Sequence, residues 1–183
     1  MKDFYEMTNK DFCNMLPNDL IEMAQKYNVT DYAYKDVLFD PEFDSPDDCI
    51  DIDILRWSII NHIETFNNIV KYIKNEFSEE LMSIKLEYGD IDFVIHTELS
   101  DFKFNIRKDN FCDDLLIGVS FTNERPDEDR DDRDRSKKIS GVCTQIAKDE
   151  TYGNDDKALE YDVDYDEIYD FIAEVIDNSG KFM

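Results

Sequence analysis

The feature that most constrains the fold is a long apolar stripe with helical spacing over residues 51–77. Within it, apolar side chains recur at alternating steps of three and four residues, and further apolar residues widen the stripe. A helix of this width and length is predicted to be buried on more than one side. Asp51 or Asp53 is placed to cap its first turn. Trp57, which lies within the stripe, is predicted to belong to the core, and the alternative is that it anchors a partner.

The hydrophobic period changes from helical to alternating after residue 80. Over residues 81–121, four segments alternate apolar and polar residues, with turns predicted at Gly89-Asp90 and Ser100-Asp101. This pattern is typical of an antiparallel meander that has one dry face and one wet face. The dry face is predicted to lie on the long helix.

The last part of the chain repeats both patterns. Residues 139–147 have the spacing of a short helix, and residues 158–165 alternate apolar residues with carboxylates as in a strand. Residues 166–177 then follow an amphipathic helical pattern, which Asp166 is placed to cap. The fold class predicted from these patterns is α+β. Its antiparallel meander sheet has four to five strands and packs on a long central helix, with short N-terminal helices and a C-terminal amphipathic helix.

The chain is predicted to form a single α+β domain, residues 1–183. Thr8 and Asp11 approximate a capping box for the first of two short helices, and Asn18 is placed to cap the second. The predicted segments are a helical N-terminal portion (1–30), an acidic connector (31–50), the long helix plus meander (51–122), a mobile charged loop (123–138) and a C-terminal strand and helix (139–183).

The charge of the chain restricts its partners. The sequence has 45 Asp and Glu residues against 20 Lys and Arg residues, a formal charge of −25. A small domain needs a charge of only roughly 2–8 to stay soluble, and a larger one destabilises the fold through self-repulsion. The surplus argues against direct binding of nucleic acid or an anionic membrane and favours a positively charged protein. An acidic proteome is the alternative source of the charge. The charged N-terminal residues and the lack of a long apolar stretch indicate a cytoplasmic location.

Residue types that support catalysis or metal binding are sparse or wrongly spaced. The four cysteines form no Cys-x-x-Cys pair, which favours reduced thiols over a zinc site. The acidic run from Asp162 has Glu167 where a calcium loop requires glycine. His62 and His96 are each predicted to be surface or edge residues, and no nucleophile, phosphate-loop or dinucleotide motif is present. We therefore predict no enzyme activity, no metal and no cofactor.

Carboxylates recur at regular spacings along the C-terminal strand and helix. Alternate residues of a strand lie about 6.6 Å apart on one face, and helical residues three or four apart have Cβ atoms about 5–6 Å apart. These spacings have the scale of phosphates along a nucleic-acid backbone, so the carboxylates can occupy a basic groove in its place. The predicted partner-binding residues are Glu160, Asp162, Asp164, Asp166, Glu167, Asp170 and Glu174, together with Asp44, Asp47, Asp48 and Asp51.

In size, acidity and absence of catalytic motifs, the chain resembles small acidic inhibitors encoded by phages and mobile elements. These are the anti-CRISPR and anti-restriction proteins that mimic DNA. The resemblance implies host-defence evasion, with a CRISPR nuclease (Cas9 first) or a restriction enzyme as partner and with DNA loading or cleavage blocked. The alternative is an immunity protein that neutralises a basic, nuclease-type toxin. A domain with incidental acidity and a catalytic or regulatory role, and a homodimer formed through the long helix, also stay open.

Overall fold

A computed structural model describes residues 3–29, 51–97, 101–109, 114–121, 142–151 and 157–178. Its helices are a short 3-10 helix (Phe4–Glu6), α1 (Asn9–Phe12), α2 (Pro17–Lys26), α3 (Ile52–Glu76) and α4 (Tyr165–Asp177). Its strands are β1 (Leu81–Glu87), β2 (Asp90–His96), β3 (Asp101–Lys108), β4 (Leu115–Phe121), β5 (Cys143–Asp149) and β6 (Tyr161–Val163). The predicted acidic connector and mobile charged loop lie outside the described residues.

The described strands form one antiparallel sheet in the order β1-β2-β3-β4-β5-β6. Each strand pairs with the next one along the chain. The predicted α+β class and antiparallel meander are confirmed, but the sheet has six strands rather than four or five. The buried face of α3 and the inner face of the sheet contribute to the same hydrophobic core. The largest fully buried side chains of that core include Leu55, Phe66, Ile69, Ile73, Ile91, Phe93, Phe102 and Phe104.

The extra strand is β5, which forms where the spacing predicted a short helix. The pairing of β4 with β5 shifts register between Leu115 and Leu116. A bulge of this kind adds one residue to a strand and interrupts its alternation. Ile146 and Ala147 are therefore buried one after the other. The interrupted alternation has the appearance of helical spacing, and this is why the prediction of a helix was wrong.

The turn between β1 and β2 lies at Tyr88-Gly89, one residue before the predicted position. Both residues have positive φ, 50° and 90°, as expected in a tight hairpin turn. A Cβ on Gly89 would lie 2.8 Å from the carbonyl oxygen of Tyr27, so space as well as backbone conformation requires glycine. The Gly89 N–H donates to the Tyr5 hydroxyl at 2.8 Å, and this bond ties the hairpin to the N-terminal segment.

The N-terminal helices are confirmed, with one correction. The Thr8 N–H donates to the Asp11 carboxylate at 2.7 Å, as the predicted capping box requires. The second helix begins at Pro17 with Leu16 as its N-cap, so the prediction that Asn18 caps it was wrong. Proline suits the first helical position because it has no N–H to leave unpaired there.

Trp57 was predicted to belong to the core, and this was wrong because its side chain is 51% exposed. The reason is geometric. At 3.6 residues per turn, residues two positions apart project in nearly opposite directions. Leu55 and Ile59 flank Trp57 at that distance and both are almost fully buried. Trp57 therefore projects away from the core.

His62 was predicted to lie at the surface, and this was also wrong. It is 1% exposed on α3 and its ring stacks on Phe66 with centroids 4.2 Å apart. Neither ring nitrogen has a hydrogen-bond partner among the described residues. Burial, together with the charge of Lys108, lowers the pKa of His62 to about 3. His96, by contrast, is exposed on β2 as predicted, and its Nδ1 lies 2.6 Å from a carboxylate oxygen of Asp101.

Candidate functional site

The exposed face of the meander carries side chains of both charges. Opposite charges lie close together there, since Lys85 pairs with Glu87 at 2.8 Å. Burial and the charge of Asp92 raise the pKa of Asp90, and the charge of Arg107 opposes that rise. The charged residues of this face are Lys85, Glu87, Asp90, Asp92, Asp101, Lys103 and Arg107. Mixed charge is typical of a surface that only has to stay solvated.

The outer face of α4 has a different charge pattern. Its exposed carboxylates lie three or four residues apart, and the helix contains no Lys or Arg. They are Asp166, Asp170, Glu174 and Asp177. The ion pairs of the described residues involve α3 and the meander, and none of them involves α4. Like charges at this spacing destabilise a helix by about 0.2–0.5 kcal/mol per pair, so stability alone does not explain the arrangement.

Three tyrosines connect this acidic face with the end of α3. The Tyr72 ring on α3 lies 4.9 Å from the Tyr165 ring at the start of α4. One turn later, the Tyr169 ring stacks on Phe77 with centroids 5.6 Å apart and planes 26° apart. Tyr169 keeps 45% of its surface exposed. The C-terminal end of α3 and the first turns of α4 therefore form one continuous surface.

Carboxylates of both helices act electrostatically on Tyr72. Burial raises the pKa of Tyr72, and the negative charges of Glu76, Asp166 and Asp170 raise it further. Sequence reasoning missed Glu76, although its place one turn after Tyr72 near the end of a long helix is a signal that was available. We name the combined set the tyrosine–carboxylate surface, formed by Tyr72, Glu76, Tyr165, Asp166, Tyr169 and Asp170.

Three of the predicted site residues have local structural roles. Asp51 caps α3, since its carboxylate accepts the N–H of Asp53 at 2.9 Å. Asp164, rather than the predicted Asp166, caps α4 by accepting the N–H of Glu167 at 2.9 Å. Glu167 in turn accepts the Thr144 hydroxyl at 2.8 Å and so joins α4 to β5. These carboxylates already have protein partners. Of the predicted residues on α4, this leaves Asp166, Asp170 and Glu174, which form no ion pair within the described ranges.

The predicted acidic row on the strand is partly compensated by its neighbour. Glu160 and Asp162 are exposed and alternate with buried Tyr161, as predicted. The strand is shorter than predicted, because β6 covers only Tyr161–Val163 and Asp164 already caps α4, so only Asp162 of the acidic row lies within it. However, Lys148 on β5 lies directly opposite Asp162, and Cβ atoms of opposed residues are about 4.5–5.5 Å apart. The sequence order does not reveal this lysine. The strand therefore presents a mixed surface, in contrast to the outer face of α4.

The predicted residues before α3 are not brought to the tyrosine–carboxylate surface. Asp51 lies at the opposite end of α3 from Tyr72, about 30 Å away at 1.5 Å per residue. Asp44, Asp47 and Asp48 lie outside the described residues.

A second exposed aromatic side chain lies near the strand. Leu159 is held against α3, because its N–H donates to the Ser58 hydroxyl at 2.9 Å and its carbonyl accepts the Asn61 amide at 2.8 Å. Trp57 lies one turn before Asn61 on the same side of the helix. It is therefore placed beside the segment that carries Glu160.

No group of three His, Cys, Asp or Glu side chains in the described ranges is arranged to hold a metal ion. None of the helices described is long and apolar enough to cross a bilayer. In comparisons with known proteins, no family model matches the chain and no curated protein or solved structure is significantly similar to it. The interpretation of the site therefore depends on its own geometry and charge.

Proposed function

We propose that this protein is an acidic inhibitor that binds the positively charged groove of a nucleic-acid-binding enzyme in place of nucleic acid. A CRISPR nuclease of the Cas9 type is the first candidate, and a restriction enzyme is the second. One observation carries the proposal: the outer face of α4 and the adjoining tyrosine–carboxylate surface are anionic without any ion pair among the described residues. The meander face of the same chain mixes both charges.

The proposed binding mode follows from the chemistry of these two helices. Unpaired carboxylates attract a basic groove from a distance and accelerate association. Exposed aromatic side chains such as Tyr169 supply the desolvated contacts that dominate most protein interfaces. The Asp164 cap and the Thr144–Glu167 hydrogen bond hold α4 in place on the sheet. The charges are thus preorganised, which lowers the entropic cost of binding.

The test is a DNA-cleavage assay with purified Cas9 and guide RNA, in which the protein is titrated. One variant combines Asp166→Asn, Asp170→Asn and Glu174→Gln, and the matched control combines Glu87→Gln, Asp92→Asn and Asp101→Asn. Both remove three negative charges. Each removed carboxylate should cost about 0.5 kcal/mol of binding free energy, so the three together should cost about 1.5 kcal/mol. We therefore expect half-inhibition by the α4 variant to require about tenfold more protein. The control should stay close to the unmodified protein, and higher salt should weaken inhibition by the unmodified chain.

Equal losses in the two variants would contradict the proposal, because they would show that net charge matters and the α4 surface does not. Inhibition that is indifferent to salt would also contradict it. The same titration against a restriction endonuclease tests the second candidate. If the protein inhibits neither the CRISPR nuclease nor the restriction enzyme, the proposed function is wrong.

A further inference from the structure

We propose that the tyrosine–carboxylate surface is an arginine-binding surface, so that the partner presents guanidinium groups rather than ammonium groups to it. This inference rests on the proposed function and specifies the chemistry of the partner. A general acidic surface would attract lysine and arginine alike. The aromatic rings beside the carboxylates are the feature that favours arginine over lysine.

The rings provide stacking surfaces for a planar cation. Tyr169 is held by its stacking on Phe77, yet nearly half of its surface stays open to solvent. Beside it, the Tyr72 and Tyr165 rings meet at 52°, which forms an angled aromatic wall between the two helices. A guanidinium stacks on such rings through both cation–π and planar contact, whereas an ammonium group is a compact and strongly hydrated charge.

Carboxylates lie beside these rings. Asp166 and Asp170 are one turn apart on α4. Tyr169 comes three residues after Asp166 and directly before Asp170. Glu76 approaches from α3, close enough that its charge acts on the Tyr72 hydroxyl together with those of Asp166 and Asp170. An arginine stacked on a ring can therefore donate two parallel N–H bonds to a neighbouring carboxylate.

Other occupants fit less well. A second copy of this chain carries the same charge of −25 and would bring like charges together at this surface. A divalent cation would need a cluster of ligands, and the described residues contain no group of three metal-ligating side chains. The charge of the surface therefore favours a basic protein as its partner, and the ring geometry favours arginine side chains on that protein.

The test measures binding of two probes to the full-length chain by isothermal titration calorimetry at about physiological ionic strength. The probes are capped nona-arginine and nona-lysine peptides, which have equal charge. We expect the arginine peptide to bind at least about twofold more tightly, because a guanidinium adds planar stacking to the cation–π attraction that both cations make. Tyr169→Leu should remove most of that preference, whereas Tyr169→Phe should retain it because the ring remains.

Tyr88→Leu is the matched control, since Tyr88 is an exposed tyrosine on the β1–β2 hairpin whose ring lies 6.0 Å from that of Tyr27 in the N-terminal segment. It should leave the preference unchanged, and thermal melting should show that each variant is folded. Equal affinity for the two peptides, or a preference that survives Tyr169→Leu, would overturn the inference. If inhibition of the nuclease persists while the arginine preference is absent, only this inference fails. If the preference is present but no enzyme is inhibited, the proposed function fails instead.

Discussion

Replacing His62 by Phe should remove much of the acid sensitivity of the fold. His62 is 1% exposed with both ring nitrogens unpaired, and its pKa in the folded chain is about 3. In the unfolded chain its pKa is about 6.5. As the pH falls from about 6.5 towards 3, the unfolded state binds a proton on His62 and the folded state does not. The free energy of unfolding therefore decreases as the pH decreases through this window.

The expected magnitude follows from the two pKa values. One pH unit corresponds to 1.36 kcal/mol, and pH 5 is about 1.5 units below the unfolded pKa, so His62 should lower the free energy of unfolding by about 2 kcal/mol at pH 5. Phe keeps an aromatic ring against Phe66 and has no proton to bind. It also removes two buried nitrogens that lack partners, so the variant should be no less stable at neutral pH.

The assay is urea unfolding followed by circular dichroism at pH 8, 7, 6 and 5 for the unmodified chain and for His62→Phe. The contribution of the many carboxylates is common to both proteins and cancels in the difference between them. That difference should grow by about 2 kcal/mol between pH 8 and pH 5. Ile69→Val is the control, because Ile69 is buried on the same helix and has no titratable group, so its difference from the unmodified chain should be the same at every pH. Parallel profiles for His62→Phe and the unmodified chain would refute the reasoning.

Three further predictions concern particular positions. Gly89→Ala should lower the free energy of unfolding by about 1–3 kcal/mol, because the φ of Gly89 is 90° and the new Cβ would meet the Tyr27 carbonyl. Gly118→Ala is the control, since a Cβ there would have ordinary 3.7 Å contacts. Equal losses of stability in urea titrations of the two variants would contradict this reasoning. Asp51→Ala should cost about 1 kcal/mol through loss of the α3 cap, whereas Asp51→Asn, which can still cap, should cost little in the same titrations. The single tryptophan, Trp57, should be readily quenched by acrylamide in the folded protein and its emission should shift little on unfolding, since it is half exposed; a large red shift would place it in the core.

The elements that sequence reasoning recovered are those specified by short-range patterns. The long helix appears where apolar residues recur with helical spacing, and its cap at Asp51 lies one residue before it. Strands β2 to β4 appear where the alternation predicts them, and β1 does so with one irregularity between Leu81 and Ser83. Both patterns depend on residues only a few positions apart, so they can be read without knowing what the element packs against.

The errors occurred where packing overrides the local pattern. In β5, Ile146 and Ala147 are buried in succession because the register of β5 with β4 shifts there. Trp57 is exposed and His62 is buried, although both lie in the same helical stretch. Which side of a broad apolar helix is covered depends on the sheet and the N-terminal segment, and most of their residues lie far from that helix in the sequence.

The sequence by itself determined the α+β class, the strand and helix periods and the surplus of carboxylates, since these follow from composition and from spacing along the chain. Only the tertiary structure decided which carboxylates act together. The packing of α4 against the end of α3 brings the charges of Glu76, Asp166 and Asp170 within range of Tyr72, and the pairing of β5 with β6 sets Lys148 opposite Asp162. The physical reason is that a charged surface is defined by distances in space, and pairing and packing set those distances between residues far apart in the chain.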